Sequence, residues 1–251
     1  METKEDKKSF QKADQRYKSI RNRSFDYSFE LLLLEQIIKE GDKNLVVSDK
    51  QIKEFFNRVD KSEIIEKNRK SWQISKDGEN LEGCNNTVKE IDVAIKSWYD
   101  IDDNYRLYKD NKKWFEGVFM SKKDFRDIYG PDDFKERRCD YCGITENKID
   151  ELISKSKIYT KRLYSRGRSL EIDKKEPNKD YTPENIVLSC YWCNNAKTDE
   201  YTYDEFKRIG VLNRLIWENR YNDTNWSSDM YDQLEKELKI VDKELKGNEK
   251  Y

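Results

Sequence analysis

Two short cysteine pairs decide how this 251-residue chain can fold: Cys139-Asp-Tyr-Cys142 and Cys190-Tyr-Trp-Cys193-Asn-Asn-Ala-Lys197. A Cys-x-x-Cys segment turns both sulfurs toward one ion, and two such segments complete a tetrahedron around Zn²⁺. The chain has no histidine, so a zinc site here must be made of cysteine alone. Four thiolates leave no open coordination position, and we therefore predict a structural zinc ion.

Paired cysteines can also form redox couples, but a cytoplasmic location would favour metal binding over that alternative. The chain opens with Met-Glu-Thr-Lys-Glu-Asp-Lys-Lys, which lacks the apolar core of a signal peptide, and its longest strongly apolar run is 31–34. We therefore expect a cytoplasmic protein with no membrane span, in which thiols stay reduced. The fifth cysteine, Cys84, stands in a polar stretch without a nearby partner and is predicted to be an incidental free thiol.

The composition indicates a thin core under a heavily charged surface. Hydrophobic residues make up 35% of the chain and charged residues 40%, so aromatic side chains must supply much of the burial. The net charge of −1 excludes a globally basic nucleic-acid binder. Any contact with nucleic acid must therefore come from a local basic patch.

Between the cysteine pairs, the pattern predicts a helix, two strands and a loop. The helix is expected over 145–154, the strands over 170–173 and 185–188, and the loop at Glu176-Pro177-Asn178. Asp173 ends the first strand and Asn194 follows the second cysteine pair, so both are tied to the zinc site. Their oxygen atoms are suitable hard ligands for Mg²⁺ or Mn²⁺, with water and a phosphate oxygen completing the shell.

A basic run precedes the first strand. Residues 154–170 contain six Lys or Arg side chains and no Asp or Glu, with Tyr159 and Tyr164 interleaved. A solvated surface is the plain alternative, but the run lies beside Asp173, which favours contact with a phosphate backbone. The predicted nucleic-acid-binding residues are Lys155, Lys157, Lys161, Arg162, Arg166, Arg168 and Lys197.

The order of these features resembles that of the HNH endonuclease family, whose ββα-metal fold also occurs with a zinc-stabilised frame. The resemblance covers about 137–200: a cysteine pair, a strand that ends in Asp, a loop with Pro, the strand start Asn-Ile-Val-Leu, and Cys-x-x-Cys-Asn-x-x-Lys. It implies that Asp173 and Asn194 hold the catalytic divalent ion. It also implies that Asn185 matches the Asn that orients the catalytic histidine in the family.

The chain departs from the family at Lys174, where the general-base histidine would stand. Three explanations are open: another group activates the water, Lys174 holds a phosphate as a cation, or the site is inactive and the protein only binds nucleic acid. For the first, Lys174 would need a pKa far below its ordinary ~10.4. Other candidates for the base are Tyr181, Glu171 and Glu176, and the metal could also generate hydroxide largely unaided.

The resemblance implies a metal-dependent endonuclease that hydrolyses phosphodiester bonds in DNA, with double-stranded DNA as the expected partner. A restriction or phage-defence role would suit a small nuclease module joined to a long unrelated N-terminal region. The alternative is a catalytically inactive, zinc-stabilised module that binds nucleic acid.

The N-terminal region is predicted to be mainly helical. The polar residues 1–25 indicate a solvated terminus or, alternatively, an arm that contacts phosphates. Helices are expected over 26–40 and after capping boxes at Ser48 and Thr87. A short strand is expected over 44–47, a strand or irregular wall over 105–120, and a short helix over 121–129.

The C-terminal region is predicted to be helical as well. Thr202 begins a helix that stops at Gly210, a second helix follows over 211–221, and a last one lies near 229–245. The apolar stripe of the last helix is typical of core packing, with a homodimer seam as the alternative. The predicted class is therefore α+β, divided at Gly130-Pro131: helical residues 1–130 for target or partner recognition, the module at 131–210, and C-terminal helices at 211–251.

Overall fold

The computed structural model describes residues 4–40, 45–58, 78–81, 84–129, 137–159, 166–177 and 179–248, with side chains from residue 13 to residue 247. Most of these residues are helical, and the described strands form a two-stranded antiparallel sheet. The predicted α+β class is confirmed. Among the described residues, none of the helices combines the length and the apolarity that a membrane crossing requires.

The elements follow one another as helices, two strands and helices again. The strands are β1 (Glu171–Lys174) and β2 (Ile186–Ser189), and a 3-10 turn at Pro183–Asn185 leads into β2. The helices are α1 (Lys4–Glu40), α2 (Asp49–Phe56), α3 (Val88–Tyr99), α4 (Asp102–Val118), α5 (Lys122–Tyr129), α6 (Glu146–Ser154), α7 (Tyr191–Lys197), α8 (Tyr203–Asn222) and α9 (Asp229–Asn248).

The chain divides into two compact units. Ser19–Phe119 forms one, here called the helical unit. Met1–Lys18 and Met120–Tyr251 form the other, here called the four-cysteine unit. The boundary predicted at Gly130-Pro131 lies outside the described residues, and residues 120–129 group with the four-cysteine unit.

The helical unit is built on aromatic and leucine side chains. Phe25 and Phe29 are fully buried and their rings stack at 5.6 Å, beside a run of four buried leucines at 31–34. The capping boxes at Ser48 and Thr87 are confirmed, because each hydroxyl accepts a hydrogen bond from the backbone three residues on while that residue's side chain accepts from the cap. No strand forms over residues 45–47.

The prediction of a strand or irregular wall over 105–120 is wrong, because α4 covers most of it. Tyr108, Asn111 and Phe115 recur at helical spacing and turn toward the buried aromatic cluster. Asn111 is fully buried, and its amide nitrogen donates to the carbonyl of Leu107, one turn earlier, at 2.9 Å. The many aromatic residues of this segment suggested a strand, although its inward-facing residues follow the spacing of a helix.

The prediction of a solvated N-terminus is also wrong from Ala13 onward. Ala13, Tyr17 and Ile20 are buried along one side of α1 at i, i+4 and i+7. The hydroxyl of Tyr17 donates to the carbonyl of Met120 at 2.8 Å, and its ring lies 5.6 Å from that of Phe125. Ala13 and Tyr17 lie in the part of this helix that belongs to the four-cysteine unit, and their burial among many charges anchors the helix there.

Helix α8 runs through Gly210, where a helix end was predicted. A Cβ at this position would lie 2.3 Å from the backbone oxygen of Tyr141, so glycine is required by the close approach of the first cysteine pair. The capping box at Thr202 is confirmed. The stripe of α9 packs within the chain, with Val241 and Leu245 buried beside Val211.

Candidate active site

The four predicted zinc ligands come together. The sulfur atoms of Cys139, Cys142, Cys190 and Cys193 all lie within 4.8 Å of one another, and all four residues are buried. The Cys142 and Cys190 sulfurs are 3.8 Å apart. Tetrahedral zinc with Zn–S bonds of ~2.3 Å separates its sulfurs by about 3.8 Å, so the cluster fits that ion.

The local backbone shapes each cysteine pair. In the first, the amide of Gly143 donates to the carbonyl of Cys139 at 2.8 Å, and Gly143 takes φ +69, a left-handed conformation that suits glycine. In the second, the Cys190 sulfur caps α7 by accepting from the amide of Cys193 at 3.4 Å. The amide of Asp140 donates to Leu188 at 2.8 Å and ties the first pair to β2.

The thiols influence one another's ionisation. Burial alone would raise the pKa of Cys139, but hydrogen bonds from the other three cysteines hold it well below its ordinary value. The pKa of Cys190 is raised, mainly by its contacts with Cys139 and Cys142. One thiolate is therefore favoured and further ones are opposed, an imbalance that a bound cation would relieve. Of the arginines before the first pair, Arg137 is buried over the ring of Tyr129 at 4.2 Å and Arg138 is exposed.

Asp173 lies in β1, opposite Val187 of β2, with its carboxylate partly buried. Its Oδ2 accepts a hydrogen bond from the hydroxyl of Tyr141 at 2.8 Å and lies 3.8 Å from Nζ of Lys197. Burial raises the pKa of Asp173, while Lys197 and Tyr141 oppose that rise. The predicted metal-ligand carboxylate is thus held from two sides, by Tyr141 of the first cysteine pair and by Lys197 of α7.

Asn194 projects from the first half of α7 toward β1, and its Nδ2 donates to Oε2 of Glu171 at 2.7 Å. The sequence predicted that Asn194 would converge with Asp173. The structure places both at the same β1–α7 interface, where each has its own partner: Asn194 with Glu171, and Asp173 with Lys197.

The loop between the strands is organised by Asn185. Its Oδ1 accepts from the amide of Glu176 at 2.8 Å, and its Nδ2 donates to the carbonyls of Glu176 at 3.1 Å and Asp180 at 2.9 Å. The ammonium of Lys174 donates to the carbonyl of Pro177 and lies 5.5 Å from the ring centre of Tyr181. Asn185 therefore fixes the loop that surrounds Lys174.

The basic run is more neutralised than its sequence indicated. Each of its described members lies against an acid from elsewhere: Lys155 with Glu151, Lys157 with Asp223, Arg166 with Glu171, and Arg168 with Asp150. Lys161 and Arg162 lie outside the described residues. These pairings reduce the local positive charge. The sequence did not reveal them, because the absence of Asp and Glu within the run does not show which acids pack on it from other segments.

The prediction that Lys197 binds nucleic acid is wrong for this conformation. Its side chain is 1% exposed, and its Nζ donates to the backbone oxygen of Lys174 at 2.9 Å. A buried ammonium cannot contact a phosphate in solution. Its role is to hold the end of β1 against α7.

Two residues of the site escaped the sequence reasoning. Tyr141 was treated only as a spacer inside the first cysteine pair, yet it donates to Asp173. Glu171 was considered only as an alternative base, yet it pairs with Arg166 and Asn194. The signal for Glu171 was its position two residues before Asp173, which puts both side chains on one side of a strand.

Few known proteins are similar to this chain. No protein-family profile matches the chain, and no curated protein matches it significantly. Among solved structures, it is similar to the rare-cutting HNH restriction endonuclease PacI, with 27% identity over 41% of this chain and 67% of that chain. The TM-score of this match is 0.35.

Proposed function

We propose that this protein is a metal-dependent endonuclease of the HNH type that hydrolyses phosphodiester bonds in DNA. The observation that supports it is the β1–β2–α7 unit on the four-cysteine cluster, which carries Asp173 on the strand and Asn194 on the facing helix. We extend the proposal to double-stranded DNA in the cytoplasm, in a restriction or defence role.

The donor atoms suit a hard divalent ion at this interface. Asp173 offers a carboxylate, and Asn194 offers its amide oxygen because its nitrogen is used by Glu171. Mg²⁺ or Mn²⁺ bound there would polarise the scissile phosphate and make water more acidic. Tyr141 and Lys197 hold the carboxylate in place for that ion.

Lys174 best serves as a cation that holds a phosphate. A carbonyl oxygen and an aromatic ring both attract an ammonium group, and Lys174 has one of each, from Pro177 and Tyr181. A general base would have to offer a lone pair to water, whereas the Lys174 nitrogen donates to Pro177. This leaves activation of water to the metal or to another group of the loop.

The test is cleavage of supercoiled plasmid by the full-length, zinc-loaded protein with Mg²⁺ or Mn²⁺. Wild type is expected to nick the plasmid, and Asp173→Ala to abolish nicking. The matched control is Asp232→Ala, which changes an exposed aspartate of α9 and should leave the rate unchanged. Single-stranded DNA and RNA substrates, run in parallel, identify the polymer that is cut.

Lys174 variants separate its two roles. If Lys174 holds a phosphate, Lys174→Arg should retain most of the activity that Lys174→Ala loses, since both cationic side chains bind phosphate. Equal loss in the two variants would instead favour the base. Lys236→Ala, at an exposed site on α9, controls for a general loss of positive charge.

A second candidate function is favoured by the pairing of Asp173 with the buried Lys197. A carboxylate compensated inside the protein, in a chain without histidine, suits a module that binds nucleic acid and does not cut it. If wild-type protein binds DNA but does not nick it with any divalent ion, the nuclease proposal is wrong and this alternative replaces it.

A further inference from the structure

Glu171 is a buried carboxylate with three hydrogen bonds to its side chain. It is 4% exposed, and Arg166 reaches it with two nitrogens: Nε to Oε1 at 2.7 Å and Nη2 to Oε2 at 2.5 Å. The third donor is Nδ2 of Asn194, at 2.7 Å from Oε2. Arg166 in turn lies over the ring of Tyr191, 5.0 Å from its centre.

We infer that Glu171 is a positioning residue that fixes the side-chain amide of Asn194 with its oxygen directed at the metal position. This inference rests on the proposed function, because it concerns the same divalent ion. It differs from the sequence-based view of Glu171 as a candidate base, since an acid held by two partners is not available to take a proton from water.

The argument depends on what each group can donate or accept. An ionised carboxylate only accepts hydrogen bonds, so the end of the amide that faces Glu171 must be the NH₂ group. The amide oxygen of Asn194 is then forced to the opposite side. Without such a partner, an asparagine amide can turn over and present either end to a cation.

The β1–α7 interface places the oriented amide of Asn194 beside the carboxylate of Asp173. Glu171 and Asp173 lie on one side of β1, about 7 Å apart along the strand. Asn194 and Lys197 are three residues apart on α7, which is ~4.5 Å along the helix. Two parallel pairs therefore cross the interface: one orients Asn194, and the other holds Asp173 beside it. Groups outside a metal's ligands commonly set the orientation of the ligands in this way.

Glu171→Gln is the direct test, because it preserves size but lets either end of the Asn194 amide face residue 171. The measurement is Mn²⁺ binding to full-length, zinc-loaded protein without DNA, counting only the site that Asp173→Ala removes. Loss of a supporting group of this kind lowers metal affinity by about 10- to 100-fold. Zinc content and melting temperature are measured on the same samples, and Glu184→Gln, an exposed acid on the module, is the matched control.

A swap of donor and acceptor distinguishes positioning from a merely structural contact. Asn194→Asp supplies a stronger hard ligand but sets two carboxylates against each other, so Mn²⁺ affinity should fall. The double variant Glu171→Gln with Asn194→Asp restores one donor and one acceptor with their roles exchanged, and the affinity should recover. Asn195→Asp, on the next and exposed residue of α7, controls for added charge.

The outcomes separate this inference from the proposed function. Wild type that neither binds Mn²⁺ at this site nor cleaves DNA overturns both. Wild type that binds Mn²⁺ while Glu171→Gln binds it equally well overturns the inference alone. If Glu171→Gln does not fold, the Asn194→Asp variant and the double variant provide the test. The inference is overturned if Asn194→Asp binds Mn²⁺ more tightly than wild type does. It is also overturned if the double variant does not recover the Mn²⁺ affinity that Asn194→Asp loses.

Discussion

Lys197 carries a positive charge into a site that solvent hardly reaches. Its ammonium group has two partners on β1, the backbone oxygen of Lys174 at 2.9 Å and the carboxylate of Asp173 at 3.8 Å. Lys197→Met should lower the free energy of unfolding by about 3 kcal/mol, because it leaves a partly buried carboxylate without its cation and a carbonyl without its donor. Urea unfolding measures the change.

The control for Lys197→Met is Lys236→Met, which makes the same exchange on an exposed face of α9 and should alter stability by less than about 0.5 kcal/mol. Adding Asp173→Asn to Lys197→Met should recover part of the loss, since the neutral amide tolerates the missing charge. Equal stability of Lys197→Met and wild type would show that the buried pair contributes nothing.

At the scale of residues, the sequence was sufficient to predict which cysteines come together, but it was insufficient to predict which side chains pair between β1 and α7. The spacing of the cysteines predicts a shared ion because two knuckles can reach only one centre, and the sulfurs do converge. No such rule assigns Asn194 to Glu171 or buries Lys197. Those contacts depend on how α7 lies against β1, and lysine is so seldom buried that composition argues against it.

Helix α8 shows how one position in an element can serve its neighbour. Gly210 lies beneath the first cysteine pair, where an added Cβ would meet the Tyr141 carbonyl oxygen at 2.3 Å and its carbon at 2.6 Å. Gly210→Ala should therefore cost about 1–3 kcal/mol of unfolding free energy despite the better helix propensity of alanine. The displaced pair should also release zinc faster to a chelator.

Gly117→Ala in α4 is the matched control, because no atom lies within 4 Å of the added Cβ. There, alanine should stabilise by up to about 1 kcal/mol through helix propensity alone. Urea unfolding and the rate of zinc release are measured for both variants. Gly210→Ala that behaves like Gly117→Ala would refute the close packing of α8 on the cysteine pair.

Elements were predictable where a local signal marks their ends. The capping boxes at Ser48, Thr87 and Thr202 satisfy backbone amides within a few residues, so they predict helix starts without knowledge of the fold. Glycine is an ambiguous signal, since it can end a helix or can lie inside a helix where another segment packs closely against the backbone. Gly210 does the second, and only the packing of Tyr141 reveals it.

For the whole molecule, the two units differ in what stabilises them. The helical unit has a contiguous core of aromatic and aliphatic side chains. The four-cysteine unit also buries many apolar side chains, but among its described residues it buries four charged ones as well, Arg137, Glu146, Glu171 and Lys197, beside the four clustered cysteines. A metal held by those cysteines would add to the stability of this interior, because zinc binding to such sites is worth about 10–16 kcal/mol.

Zinc removal should therefore unfold the four-cysteine unit and spare the helical unit. With a strong chelator, amide hydrogen exchange is expected to lose protection over 137–159 and 170–200, where the ligands and both strands lie. Protection over 25–38 and 88–118 should persist, because the buried cluster of the helical unit contains no zinc ligand. Cys190→Ser should give the same pattern without chelator, and Cys84→Ser, at the buried cysteine outside the cluster, should leave exchange over 137–159 and 170–200 unchanged. Full protection of these two ranges after zinc is gone would show that this unit folds without metal, whereas loss of protection in both units at once would show that they unfold as one.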